Sequence, residues 1–474
     1  MGTFTIGETK VRPGEYHRFE NAGGIPTAGA TNGIVAGVIR ANWGPLNKAV
    51  VFDPSTDVKT VFGNGQTEDL ISAMFEEGNS KGYFVRCGTG GTYGSITLKD
   101  NAAEAADAVT ITAKYVGDRA FTVSIRDSLT NDAKRECIIY DGTTEFEKIE
   151  FAKGAEGGEA AALVAAFAAS ENFTAQKVAD GSGVLASVTQ SAFTAGTNPT
   201  VNTEAYSTAL NALEPHAFNV LCVDTEDVAV HAVVHSFIKR TYAAGSYPMT
   251  VLSEKSSTEN TLDVRMQHAA AFNDAKIIYV LNGGEDTSGN KKDGYINAAR
   301  IGGIIAAVPS NQSVTHYVVS GYADLAETLT NTQIEKALLS GCIVLTKNSS
   351  GQVWIEQGIN TLITPSGNED EGWKKIRRVK VRFEMIERLD RVMAPKVGRV
   401  SASTDGIADI IQAGQRVLDA MADNEGKLAQ GAQFMEDKTN PATGDSAWFI
   451  IQADDIDSLE KIYLQYQFRY IQES

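Results

Sequence analysis

The chain has 474 residues, 43% of them hydrophobic and 21% charged, which suits about three ordinary cores and excludes a disordered protein. A formal net charge of −17 excludes a general nucleic-acid binder and favours solubility. Four cysteines (Cys87, Cys137, Cys222, Cys342) lie far apart with no CxxC pair, which excludes a local metal knuckle and predicts buried, reduced thiols made in the cytoplasm. Met1-Gly2-Thr3-Phe4 has neither a basic nor an apolar leader segment, so no secretion signal is expected. The longest apolar stretch, near Ile301 to Val308, is too short to span a bilayer, and no stable membrane insertion is expected.

In chain order, Lys10 to Tyr16 breaks at Pro13-Gly14 and runs into Asn21-Ala22-Gly23-Gly24-Ile25-Pro26, the composition of an extended arm. Ile34 to Ile39 predicts a strand, Asp69 to Glu77 a helix and Tyr83 to Cys87 a second strand. From about 100 to 204 the composition changes. Val109, Ile111 and Ala113, then Phe121, Val123 and Ile125, alternate with polar residues as half-buried strands do, and a helix is expected over Ala160 to Ala169. This reads as an inserted β-rich domain. From 216 the pattern is strand (Phe218–Val223), helix (Val228–Tyr242), strand (Met249–Leu252), helix (Leu262–Phe272), strand (Ile277–Leu281) and helix (Ala298–Val308). Such alternation predicts a parallel α/β sheet covered by helices. After Pro365 the chain turns α+β, with one helical face from Ile407 to Met421 opened by Ser403, Thr404 and Asp405.

The last residues alternate again. Ile462, Leu464, Tyr466, Phe468 and Tyr470 share one face of a strand expected over Lys461 to Gln472. Such a strand either pairs within its own subunit or completes the sheet of a neighbour.

No catalytic pattern emerges. Gly88-Thr89-Gly90-Gly91 and Gly283-Gly284 follow strands, but neither opens a GxGxxG helix start and no Gly-Lys-Ser/Thr completes a phosphate loop. His231 and His235 have metal-like helical spacing without the glutamate of HExxH or a third ligand. No GxSxG elbow is present. No enzyme activity and no cofactor are expected. One charge feature stands out: Trp373 to Val400 carries ten Lys/Arg and three acids, a local +7 in an acidic chain. It is either a solvated helix face or a docking surface for an acidic partner.

Several stretches together resemble contractile tail sheath proteins of bacteriophages and phage-derived bacteriocins. Arg12-Pro13-Gly14-Glu15-Tyr16 is similar to the family's RPG-x-Y arm, and Gly82-Tyr83-Phe84-Val85-Arg86 follows. Ala113 to Phe121 looks like the AKYPG-x-x-GN turn of such sheaths, with Val116 at the proline and Ala120-Phe121 at the Gly-Asn. Ala298-Ala299-Arg300-Ile301-Gly302-Gly303 and the exit Asn311-Gln312-Ser313-Val314-Thr315 resemble the sheath helix with its N-x-S-x-T, and Gly358-Ile359-Asn360-Thr361-Leu362 is similar to GINTL.

The resemblance implies an α/β and α+β multidomain structural polymer without catalysis or cofactors. Its parts would be an N-terminal arm (1–30), an α/β core (31–99 with 205–360), an inserted β-rich outer domain (100–204), a tube-facing α+β domain (361–447) and a C-terminal arm strand (448–474). Val11, Pro13, Gly14, Tyr16 and the five apolar residues from Ile462 to Tyr470 would join subunits. Lys374, Lys375, Arg377, Arg378, Lys380 and Arg382 would face the tube. Implied partners are further copies of the chain, the tail tube protein, and baseplate and tail terminator proteins, in a virion tail assembled in the bacterial cytoplasm, with no direct nucleic-acid contact. The alternatives are the sheath of a bacteriocin or other injection machine, and a cytoplasmic α/β nucleotide-binding enzyme.

Overall fold

The computed structural model describes residues 2–3, 16–17, 33–65, 67–154, 158–178, 184–367 and 369–468. One compact unit spans Thr31–Phe383 and takes in the chain from Asp457; Glu384–Ile456 belongs to a second.

At the centre of the first unit is a seven-stranded sheet in the order Cys342–Ile343, Ile277–Val280, Met249–Ser253, Val220–Val223, Ile34–Ile39, Lys81–Arg86, Ala49–Phe52. All neighbours run parallel except the last, which closes one edge antiparallel. Both faces of the sheet interior are covered, so the central strands are mostly apolar, as doubly covered parallel sheets require. Val35 and Ile39, Val220 and Cys222, and Ile278 and Val280 enter one core with the helices Asp69–Phe75 and Gly294–Ala307. Ala36 and Val38, Leu221 and Val223, and Ile277 and Tyr279 enter the other, under the helices Thr203–Leu213, Val228–Ala243, Leu262–Phe272 and Asn331–Leu339. The expected α/β architecture is therefore present, and the predicted helix Leu262–Phe272 is found with those bounds.

Gly302 and Gly303 lie inside a helix, where glycine costs about 1 kcal/mol relative to alanine. Close approach explains them. A Cβ on Gly302 would lie 2.7 Å from the Cys222 sulfur, and one on Gly303 would lie 2.5 Å from the Met74 carbonyl oxygen. The Asn79 amide stitches that contact by donating to the carbonyls of Met74 (2.7 Å) and Gly303 (2.9 Å).

The β-rich part forms two sheets. Thr144–Ala152, Lys134–Asp141, Phe121–Asp127 and Val188–Ala192 make one, and Phe173–Lys177, Asp107–Val116 and Tyr93–Lys99 the other. Tyr93–Lys99 is paired inside it, and bridges Thr89–Thr200 and Thr92–Thr197 join its entry to its exit, so this part begins near 89. Its core contains Trp43, which comes from the loop after Ile34–Ile39. The expected helix is Gly158–Ala166.

The second unit begins inside the helix Ile376–Met393, because Ile376, Val379 and Phe383 pack into the core beside the central sheet. It contains the helix Thr404–Asp419, whose N-cap Ser403 accepts from Gly406 N at 3.2 Å, and a hairpin of Gln433–Glu436 with Phe449–Gln452. All four cysteines are buried free thiols, and desolvation raises their pKa values, for Cys137 and Cys342 to about 12.

Candidate functional site

The end of the chain and the start of the basic helix meet at one carboxylate. Glu460 is largely buried. Its Oε1 accepts from the Thr315 hydroxyl (2.9 Å), and its Oε2 accepts from the Gln357 amide (3.0 Å) and from the Lys375 ammonium. Ser313 supports Thr315 at 3.0 Å, and Gly358 N donates to Thr315 at 2.9 Å. The N-x-S-x-T exit and the GINTL stretch, 43 positions apart at Thr315 and Gly358, thus build one receptacle. Burial alone would raise the Glu460 pKa; the donors, Lys375 foremost, outweigh it and hold the group below its ordinary value. Further along the GINTL stretch, Asn360 donates to the Trp373 carbonyl (2.6 Å) and Thr361 to that of Asp274 (3.0 Å), which explains why those polar residues are buried.

Beyond Glu460 the chain leaves its own fold. The described residues 461–468 adopt no strand, contrary to the alternation, and Ile462, Leu464, Tyr466 and Phe468 are 69–93% exposed. A strand needs a partner for its backbone groups, and none is supplied within the described chain. Tyr470 lies outside the described residues, as do Val11, Pro13 and Gly14. Tyr16 belongs to a two-residue strand, Tyr16–His17, parallel to Gly2–Thr3.

The six basic residues separate. Lys380 is buried and donates to the Ile305 (2.5 Å) and Val308 carbonyls, satisfying the end of the helix Gly294–Ala307, so it presents no surface charge; Arg377 is buried too. Lys375 is paired with Glu460, Lys374 with Glu371 (2.7 Å) and Arg382 with Asp370 (3.0 Å) while lying 4.6 Å over the Trp373 ring. Arg378 is half-buried beside Gly372. Much of the local +7 is answered by acids close in space.

Further along this helix, Glu384 is buried between Arg388 (2.5 Å) and Lys427 (2.6 Å), and Arg388 also reaches Glu425 at 2.6 Å. Glu387 is different: desolvation, helped by Glu384 and Asp390 and opposed by Arg391, pushes its pKa up to about 7. A carboxyl with a raised folded pKa stabilises fully below its unfolded value and loses that contribution as pH rises through about 7. Glu387→Gln is therefore expected to leave the melting temperature unchanged near pH 4.5 and raise it at pH 8, by an amount reflecting up to about 3 kcal/mol. Parallel melting curves at both pH values would refute this.

The two glycine turns do not make a phosphate cradle. A Cβ on Gly88 would meet the Pro199 side chain at 2.6 Å, and Gly283 lies against the backbone of Lys292 and Asp293. The crevice where strand order reverses, beyond Ile34–Ile39 and Val220–Val223, is where doubly wound sheets commonly hold ligands. Here Asp224 fills it, accepting from the Tyr206 hydroxyl (2.5 Å), Arg40 N (2.6 Å), Arg40 Nε (3.0 Å) and Thr67. His231 Nε2 meets the Thr225 carbonyl (2.9 Å) and His235 meets Asp274 (3.1 Å), so the two imidazoles serve separate contacts. Among the described residues no helix is long and apolar enough to cross a membrane.

Comparison with known proteins places this arrangement. The uncharacterized protein YqbK of Bacillus subtilis (strain 168) is 23% identical across 98% of both chains. The tail sheath protein of Clostridium phage phiCD119 is 25% identical over 54% of this chain and 74% of its own. The crystal structure of the sheath tail protein from Desulfitobacterium hafniense superposes with a TM-score of 0.68 at 20% identity, covering 94% of this chain and all of that one. The sheath of an extracellular contractile injection system in its contracted state has a TM-score of 0.56 at 11% identity, covering 97% and 98%. Residues 200–361, which supply most of the parallel sheet and the Thr315 and Gly358 receptacle, match the phage tail sheath protein central domain.

Proposed function

We propose that this chain is the repeating subunit of a contractile sheath, polymerising in stacked rings around an inner tube that contraction drives through a target envelope. The observation that carries this reading is the exposed apolar arm beyond Glu460. Four large side chains stand in water, and burying each in a neighbour would contribute roughly 1.5–3 kcal/mol. The proposed recipient is a sheet edge on another copy. The hairpin Gln433–Glu436/Phe449–Gln452 suits the role, being only two strands wide with Trp448, Ile450 and Ile451 exposed, and such ribbons are marginal alone. The tube is proposed to meet the basic stretch at Lys374, Arg378 and Arg382, which reach the surface.

A polymer of this kind needs a start and a stop, so partners of baseplate and tail terminator type are proposed, in a particle assembled in the bacterial cytoplasm. A bacteriocin or other injection machine would use the same subunit chemistry in another setting. Negative-stain microscopy of the purified protein is expected to reveal rings or striated tubes; a discrete small oligomer that gains thermal stability with nucleotide would overturn the reading.

A further inference from the structure

Glu460 is a singular point in the C-terminal stretch. Leu459 before it is 81% exposed and Ile462 after it 70%, yet the Glu460 side chain between them is buried and takes charge-assisted hydrogen bonds from segments around 315, 357 and 375. A buried carboxylate with three dedicated donors in a run of exposed residues is not accounted for by core packing.

We propose that Glu460 is the cleat that fastens the root of the arm to its own subunit, so that residues from Lys461 onward reach a second copy of the chain from one set point. This rests on the sheath reading and adds to it a positioning residue. At about 3.3 Å per residue, the eight residues 461–468 reach roughly 26 Å from Glu460 when extended. Holding the root limits the volume the arm explores and raises its effective concentration at a neighbour within that reach. The receptacle also determines where a pull on the arm arrives: on Lys375, next to the start of the helix Ile376–Met393, and on the loop holding Thr315.

The test is a charge exchange in the full-length chain. Glu460→Lys places an ammonium against Lys375, and Lys375→Glu places a carboxylate against Glu460. The double variant restores an attractive pair, with Gln357 free to turn its amide and Thr315 able to accept. Each single variant is expected to cut tube yield at least tenfold and to speed chymotryptic cleavage after Tyr463 at least fivefold, with the subunit still folded and its melting temperature lowered only by the loss of this pair. The double variant should recover most of both. If a single variant melts early, Glu460→Gln, which keeps shape and loses charge, is expected to raise the cleavage rate by a smaller factor. Single variants that assemble and resist cleavage like the unmodified chain would overturn the cleat while leaving the sheath reading intact. Failure of the unmodified chain to form tubes would overturn the sheath reading instead, and the cleavage rates would still decide the cleat.

Discussion

Phe468→Asp is expected to abolish tube formation while leaving the melting curve of the isolated subunit where it was. The asymmetry follows from burial. Phe468 is 93% exposed, so its replacement removes nothing from the subunit's own core. In a neighbour's sheet the same position would be enclosed, and an unpaired carboxylate there costs several kcal/mol in addition to the lost aromatic burial. The register of an added strand is set by its apolar face, because a shift of one residue turns that whole face to water. The pairing therefore cannot slip to evade the charge. A chain ending after Lys461, which keeps Glu460 in its receptacle, should behave alike, folding but failing to polymerise. Sedimentation and microscopy read assembly, and thermal melting reads the subunit. Early melting of either variant would mean that the arm belongs to its own fold, and unaltered tubes would mean that the arm does not join copies.

Trp43→Ala is expected to destabilise the subunit by about 3–5 kcal/mol, the usual cost of emptying a large aromatic site in a core. The residue is fully enclosed, with ring centroids of Phe121, Tyr115, Phe173 and Phe146 at 4.9, 5.1, 5.8 and 6.1 Å. Arg119 lies over the same cluster, 5.6 Å from the Trp43 ring and 4.6 Å from that of Phe146, while its guanidinium meets Asp141 at 2.6 Å. Loss of the indole would leave a cavity beneath that ion pair. The denaturant midpoint measures the effect, and a change below about 1 kcal/mol would show that the β-rich part does not depend on this residue. The same geometry bears on any attempt to delete the β-rich part. Excision between Thr89 and Thr200 would strand Trp43 in water, so a clean deletion should carry Trp43→Ser as well.

Much of the α/β core was legible because both periodicities are strong there. Val220 to Val223 is a continuous apolar run, and Leu262 to Phe272 is bounded by Thr261 and by Asn273, which takes the left-handed conformation that ends a helix. The helix Thr203–Leu213 escaped sequence reading, although Asn202 caps it and Ala205, Tyr206, Ala209, Leu210 and Leu213 share its buried face. Its Ala/Ser/Thr composition continues that of the preceding segment and hides the change of period. The charge of the basic stretch was only partly legible, for a different reason. A count along the chain includes Glu384, Glu387 and Asp390 but not Asp370, Glu371 or Glu460, which meet the lysines and arginines in space. Glu460 itself left no local signal, since its donors lie 85 to 145 positions away. The terminal alternation describes a strand, but a strand is a property of two backbones and one chain supplies only one.

The placement of the four cysteines would bear on how copies of the proposed sheath hold together. Every thiol is in an interior and its pKa is raised by desolvation, so almost none is present as thiolate at neutral pH. In a polymer released into oxidising surroundings, reactive thiols on facing copies would meet at very high local concentration and weld the lattice covalently. With these four sulfurs buried, copies in the proposed polymer would be held by contacts that can be broken and remade, and its lattice would stay unlocked.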